Sequence, residues 1–320
     1  MALDKDKDFV LVTGATGNQG SATACLLLEK GFQVRAMTHQ PHSPKAARLA
    51  AFGAEIVLGD LDDPAVLHNA FVGVKGVFAV QGSREGESKI EEERGKRLAY
   101  IAKEQDVPQY IYSSVASARE KSGVPHFEAK GRIEKTIRDL KFPSHTFLRG
   151  TFFMESLLDP SIFPEIVSSG KLICPISPNT KIQMVSAEDV AKFAVYAFEN
   201  PGLMNGVELD LAGDEHTFAE VAEVLSAAFH KRIEFASVNM EEFAKLRSLS
   251  HNLRHNVERI MDWWEEVGWD IDIGGLMLAS RNCGIELKTL NEWANSLSTK
   301  SGAFTVAGSK ISKVSSKLSS

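Results

Sequence analysis

The chain has 320 residues, 43% of them hydrophobic and 24% charged, with a formal net charge of -6 at pH 7. That leaves room for one large α/β core plus a smaller unit, and it argues against a nucleic-acid partner, which calls for a basic footprint. No run approaches the roughly 20 apolar residues that span a bilayer, and the start MALDKDKDFVLVTG lacks the apolar core of a secretory signal, so a cytoplasmic location is expected.

Phe9 to Thr13 (FVLVT) reads as a short strand leading into GATGNQG. Ser21 to Lys30 follows as a helix with Ala22, Ala24, Cys25 and Leu28 on its apolar face and Gly31 as its stop. Phe32 to Thr38 is a second strand, Lys45 to Phe52 a helix stopped by Gly53, Glu55 to Leu58 a strand and Asp63 to Phe71 a helix. The rhythm continues with strand Gly76 to Val80, helix Ile90 to Glu104, strand Gln109 to Ser113, helix His126 to Leu140 and strand Ser144 to Arg149. Strands alternating with helices of this length predict a doubly wound parallel sheet.

After about residue 150, Asp159, Pro160, Pro164, Gly170, Pro175 and Pro178 punctuate short elements, as expected of a substrate-side region. Ala187 to Glu199 is a helix with Ser186 as candidate cap, and Gly206 to Leu211 a strand returning to the sheet. Phe218 to His230 and Met240 to Val267 read as helices. Trp263, Trp264 and Trp269 in and after the second are expected to pack between helices. From Ser296 the Ser/Lys-rich end reads as a tail. Cys25, Cys174 and Cys283 lie too far apart for a CxxC pair, so no disulfide framework and no metal site are expected.

Gly14, Gly17 and Gly20 stand between the first strand and first helix. A tight turn, close backbone approach to a pyrophosphate, and a helix N-terminus facing the phosphates all require this pattern. Within a βαβ repeat it predicts a Rossmann-type nucleotide-binding domain. An NAD site places Asp or Glu at the end of the second strand. Here stand Thr38 and His39, with no acid between Gly31 and Gly53. A 2′-phosphate is compatible with a hydroxyl and with basic groups such as His39 and Lys45, so NADP(H) is the expected cofactor. Arg35 and Arg48 are further basic candidates, Arg35 on a sheet face where its role is structural. Asp60 and Leu61 follow the third strand where the adenine is expected, although Asp60 equally suits a helix cap. Gln81 follows the fourth strand beside the nicotinamide ribose.

Candidates for chemistry cluster after the fifth strand. His126 and Lys130, four residues apart, share a helix face. Lys130 suits the nicotinamide ribose, His126 a proton donor near neutral pH, and Ser113 or Ser114 a developing oxyanion. The plainer readings are a solvent-facing or capping His126 and serines that merely close the strand. Tyr110 and Tyr112 lie within the strand, with Tyr112 as the alternative acid.

These residues resemble the NmrA-like family of atypical short-chain dehydrogenase/reductases. The resemblance is carried by VTGATGNQG (Val12 to Gly20), the stretch Val34 to Asp63, GVFAV (Gly76 to Val80), YIYSSV (Tyr110 to Val115), PHFEAKGRIE (Pro125 to Glu134), FLRGTFFMESLL (Phe147 to Leu158) and MVSAEDVAKF (Met184 to Phe193), with a weaker late NEWA (Asn291 to Ala294). It implies a Rossmann domain over 1–153 with returning elements from about 184–212, a mainly substrate-side C-terminal domain over 154–300, and a tail over 301–320. It also implies NADP(H) held by Gly14, Thr16, Gly17, Asn18, Gln19 and Gly20 and by Thr38, His39 and Lys45. Lys130 matches the family lysine, and Phe152 and Phe153 match positions lining the cleft. His126 stands where short-chain enzymes carry the tyrosine of Tyr-x-x-x-Lys, and His39 where arginine is common. The family contains reductases of quinones, ketones and conjugated double bonds. It also contains redox sensors that bind NADP(H) and a regulatory protein partner. The expected function is therefore an NADPH-dependent oxidoreductase acting on a small, fairly apolar substrate, the alternative being a sensor with little turnover.

Overall fold

Each βα step expected in the first half is present in the computed structural model, which describes residues 3–81, 88–118 and 121–300. In chain order these are β1 (Phe9–Val12), α1 (Asn18–Glu29), β2 (Gln33–Thr38), α2 (Pro44–Ala51), β3 (Glu55–Leu58), α3 (Pro64–Ala70), β4 (Val74–Ala79), α4 (Ser88–Glu104), β5 (Gln109–Val115), α5 (Pro125–Leu140) and β6 (Ser144–Gly150). The second half continues with β7 (Phe152–Phe153), a 3-10 turn over Met154–Leu158, α6 (Pro164–Ser169), β8 (Lys171–Cys174), β9 (Lys181–Val185), α7 (Ala187–Glu199), α8 (Pro201–Met204) and β10 (Val207–Leu211). It closes with β11 (Asp214–Thr217), α9 (Phe218–Phe229), β12 (Glu234–Ser237), α10 (Met240–Leu246), α11 (His251–Glu266), α12 (Ile273–Asn282) and α13 (Leu290–Lys300).

Seven strands form one sheet in the order β10-β6-β5-β4-β1-β2-β3, with each pairing parallel. Both of its faces are covered, which is why Val10, Leu11 and Val12 are wholly buried as a continuous apolar run. On one face Ala24 and Leu27 of α1 pack with Phe193 and Phe198 of α7. On the other, Leu67 of α3, Leu98 of α4 and Ile133 of α5 pack around Tyr112. The fold is thus a doubly wound α/β sheet, and the order reverses between β1 and β4, where a crevice opens at the strands' carboxyl ends. The returning strand β10 pairs with β6, as the sequence suggests.

The remaining elements build a third core around Phe163, Leu172, Phe218, Trp263, Trp264 and Trp293. Two small sheets, β11-β9-β7 and β12-β8, serve it. Their strands of two to five residues are too short to leave a period in the sequence. The expected single helix over Met240 to Val267 is in fact two. Ser248 takes φ 49°, and Ser250 accepts the Leu253 N–H at 3.3 Å as the cap of α11. Serine side chains that bond nearby backbone amides compete with helix continuation here.

The tryptophans pack as expected: Trp263 and Trp264 are buried, and Trp269 meets Trp263 edge-on at 5.3 Å. Ser296 to Lys300, read as the start of a tail, belong to α13, while the tail over 301–320 lies outside the described residues. The three cysteines are free. Among the described residues no helix is long and apolar enough to cross a membrane, and no cluster of metal-ligating side chains is found.

Candidate functional site

A cleft of about 1050 Å³ lies over the crevice at the carboxyl edge of the sheet. The turn between β1 and α1 forms its floor. Gly14 has φ +55°, which side-chain-bearing residues rarely adopt, and a Cβ on Gly20 would stand 2.3 Å from the Gly14 carbonyl oxygen. Only glycine lets α1 sit this close to the turn. Gly17 caps the 12-residue helix with extended backbone, no side chain accepts from its first amides, and no acid occupies its first turn. Gly17, Asn18, Gln19 and Gly20 all line the cleft, so the helix presents N–H groups and positive dipole there. These features fit a dinucleotide pyrophosphate.

At the β2–β3 end, Thr16 and Thr38 hydroxyls lie 3.1 Å apart, and Thr38 Oγ1 accepts the Gln40 N–H at 3.2 Å. Thr16, Thr38 and His39 line the cleft; Lys45, in the first turn of α2, does not. Arg35 is structural, as expected: it donates to the carbonyls of Ala70 and Val72 and pairs with Glu55 at 3.0 Å. Asp60 and Leu61 also line the cleft. The cap of α3 is Asp63, which accepts from Ala65 N at 2.8 Å, whereas Asp60 accepts from Asp62 N. Asp62 is bound by Arg94 of α4 and approached by Arg97 at 3.3 Å, so this acid faces two guanidinium groups. Those arginines hold its carboxyl below the usual range, the Arg94 hydrogen bond contributing most.

At the β4–β5 end, Gln81 and Gln19 both line the cleft and lead inward. Ser113 donates to Gln19 Oε1, while Gln81 Nε2 donates to the Tyr112 hydroxyl at 3.0 Å. Tyr112 is fully buried and does not line the cleft, and burial pushes its phenol well above the ordinary value, so it is both out of reach of the cleft and a weaker acid than a free phenol. Lys130 is 7% exposed, with Nζ 3.4 Å from the Ser113 carbonyl and 5.4 Å from the Tyr112 ring centre. Ser114 Oγ and Gln81 Oε1 are buried with no hydrogen-bond partner among the described residues.

Sequence reasoning missed the residue that joins this group. Glu91 of α4 pairs with Lys130 Nζ and with His126 Nδ1, each at 2.8 Å. Burial alone would raise the Glu91 carboxyl, but the charges of Lys130 and then His126 hold it down at about 2. A signal existed: Glu91 shares the inward stripe of α4 with Gly95, Leu98 and Ala102, and a carboxylate there demands a partner.

The far wall differs by one residue from expectation. Phe153 and Ser156 line the cleft, whereas Phe152 turns to the aromatic core, edge-on to Trp264 at 5.7 Å and Phe218 at 6.1 Å. Glu155 between them accepts the Ala187 N–H at 3.0 Å and the Trp293 Nε1–H at 3.1 Å. That contact explains the tryptophan of NEWA: it ties α13 to the turn behind the cleft.

The NmrA-like family model matches residues 6–294. Over 166 residues the chain is 33% identical to an NmrA-like family domain-containing oxidoreductase of Aspergillus hancockii, spanning 49% of this chain and about half, 50%, of that relative's length. It is 28% identical to the NAD(P)H azoreductase of Xenophilus azovorans, over 73% of this chain and 78% of that one. Among solved structures, the NADPH-dependent quinone oxidoreductase of Escherichia coli complexed with NADPH matches with TM-score 0.72 and 25% identity, covering 90% and 99% of the two chains. NmrA, a negative transcriptional regulator, shares the fold with TM-score 0.70 and 22% identity, over 90% of this chain and 95% of that one.

Proposed function

The chain belongs to the NmrA-like family, and from that premise we propose that it is an NADPH-dependent reductase of small, fairly apolar carbonyl, quinone or enone substrates. One observation carries the reading. The glycine cradle is linked to the group around Lys130 through Gln19 and Gln81, which line the cleft while touching Ser113 and Tyr112, against which Lys130 rests; Lys130, His126 and Ser114 stand behind that lining and are not part of it.

In this reading the amides from Gly14 to Gly20 hold the pyrophosphate, with Thr16 behind them. Thr38 and His39 present a hydroxyl and an imidazole, and no carboxylate, to a 2′-phosphate. Lys45, outside the cleft lining, contributes only its charge. Asp60 and Leu61 flank the adenine. Gln81, through its unpartnered carbonyl, and Lys130 hold the nicotinamide ribose. When bound, the reduced nicotinamide supplies the hydride. His126 gives the proton to the substrate oxygen, and the Ser114 hydroxyl donates to that same oxygen. Phe153 offers an apolar wall for the substrate. The competing reading, an NADP(H) sensor for a protein partner, is favoured by His126 standing in place of a catalytic tyrosine.

The test follows the reduced-nicotinamide absorbance while NADPH is offered with quinones, aromatic ketones and enones, alongside Lys130→Ala. Substrate-dependent oxidation that falls at least about tenfold in the variant is expected. Tight NADPH binding with no oxidation across the panel would overturn the reductase reading in favour of the sensor.

A further inference from the structure

A carboxylate with no exposed surface stands between the two side chains assigned above to the ribose and the proton. Glu91 is 0% exposed, whereas the His126 side chain it holds is 41% exposed. An ionised carboxylate only accepts hydrogen bonds, so the imidazole nitrogen that faces it carries a proton. That nitrogen is Nδ1, 2.8 Å from Glu91 Oε2, and Nε2 has no partner among the described residues. The other oxygen, Oε1, is engaged by Lys130.

Resting on the reductase reading, we propose that Glu91 is a positioning residue that locks His126 with Nδ1–H on the carboxylate, making Nε2 the nitrogen that passes the proton to substrate. Glu91 touches neither substrate nor cofactor; it acts through the ring, as the orienting acid of a carboxylate–histidine pair does. The groups packed around it complete the device. Lys130 on α5 keeps the carboxylate ionised, so the imidazole retains its Nδ1 proton. Tyr112 on β5, neutral and bound by Gln81, does not compete as an acid.

For a carbonyl substrate the balance is complete. Hydride forms the new C–H bond, the C=O π pair moves onto oxygen, and that oxygen takes the Nε2 proton of the imidazolium. The ring is left neutral with Nδ1–H still on Glu91, and water at its exposed edge returns the proton. The reduced nicotinamide is the electron donor and is oxidised.

The test has a readout that needs no turnover. Nitrogen-15 histidine spectra of the wild-type protein, with His126→Gln to assign the ring, are expected to show the neutral imidazole as the Nδ1–H tautomer. An Nε2–H tautomer overturns the proposal. In kinetics, Glu91→Gln and His126→Gln are each expected to lower kcat for a ketone by about 100-fold, and the double variant to lose no more than the worse single one. Losses that multiply in the double variant overturn the coupling. Turnover with the wrong tautomer removes the positioning role and leaves the reductase, whereas NADPH binding without any turnover removes both.

Discussion

The two ends of the cleft are built from different materials. The end over α1 is backbone: Gly14 in a left-handed conformation, Gly20 within 2.3 Å of a carbonyl at its would-be Cβ, and amides left uncapped by any side chain. At the other end Gln19 and Gln81 line the cleft, and behind them stands a side-chain network drawn from α4, β5 and α5, in which Glu91 pairs with both Lys130 and His126. Backbone sites fail when something intrudes on them, and charge networks fail when one member leaves. The two ends should therefore respond to mutation in opposite ways, one through ligand affinity and the other through stability and pH.

Lys130→Met should give the largest effect. It leaves a buried carboxylate facing only a half-exposed histidine, and breaking a buried pair in this way costs about 3–5 kcal/mol. The sign with pH follows from the carboxyl. In the wild type Glu91 sits at about 2, below its ordinary 4.5, so its stabilisation is complete above 4.5 and lost as pH falls through about 2. Without Lys130, burial pushes that carboxyl up, and acid unfolding should begin at a higher pH than in wild type. Urea denaturation at neutral pH and an acid titration by circular dichroism check both. A loss under about 1 kcal/mol with an unmoved acid limb would place this pair with ordinary surface ion pairs and erase the contrast between the two ends.

Gly20→Ala comes next and should act chiefly on the ligand. The new Cβ meets backbone, which cannot swing aside as a side chain would, so α1 must shift away from the turn. Overpacking of this kind costs about 1–3 kcal/mol. Because the displaced amides are the proposed phosphate ligands, NADPH affinity should fall by a comparable amount, about 5- to 150-fold. Isothermal titration alongside a thermal melt separates the two. A variant that melts lower yet binds NADPH normally would show that the pyrophosphate does not depend on this cradle.

The same contrast explains what could be read beforehand. Backbone requirements leave residue signatures at fixed spacing, so Gly14, Gly17 and Gly20, the strand before them and the helix after were legible, as was the parallel sheet from its alternating rhythm. The pairing of His126 and Lys130 was legible too, being four residues apart on one helix. Glu91 was not joined to them, because it lies 35 residues from His126 and meets it only once α4 and α5 pack side by side. The second half was legible least. Two- and four-residue strands carry no period, and the break at Ser248 rests on local serine hydrogen bonding that competes with an otherwise helical pattern. Phe152 and Phe153 show the limit at single-residue scale: neighbours on a strand face opposite ways, and which one meets the cleft depends on the sheet it joins.

Thr38→Asp should give the smallest effect and the sharpest distinction within the backbone end. Its hydroxyl already accepts from Gln40 N at 3.2 Å and lies 3.1 Å from the Thr16 hydroxyl, so an aspartate oxygen can take over both contacts with little strain. What changes is charge at the position proposed to meet the adenosine ribose, where a 2′-hydroxyl would welcome a carboxylate and a 2′-phosphate would be repelled by it. NADPH should weaken by about tenfold, or about 1.4 kcal/mol, while NADH holds or improves, and added salt should narrow the gap by screening. Competitive titration with the two cofactors reads the difference directly. Equal weakening of both would mean that Thr38 supports the turn through Thr16 and does not discriminate, and the proposed preference for NADP(H) would then have to rest on His39.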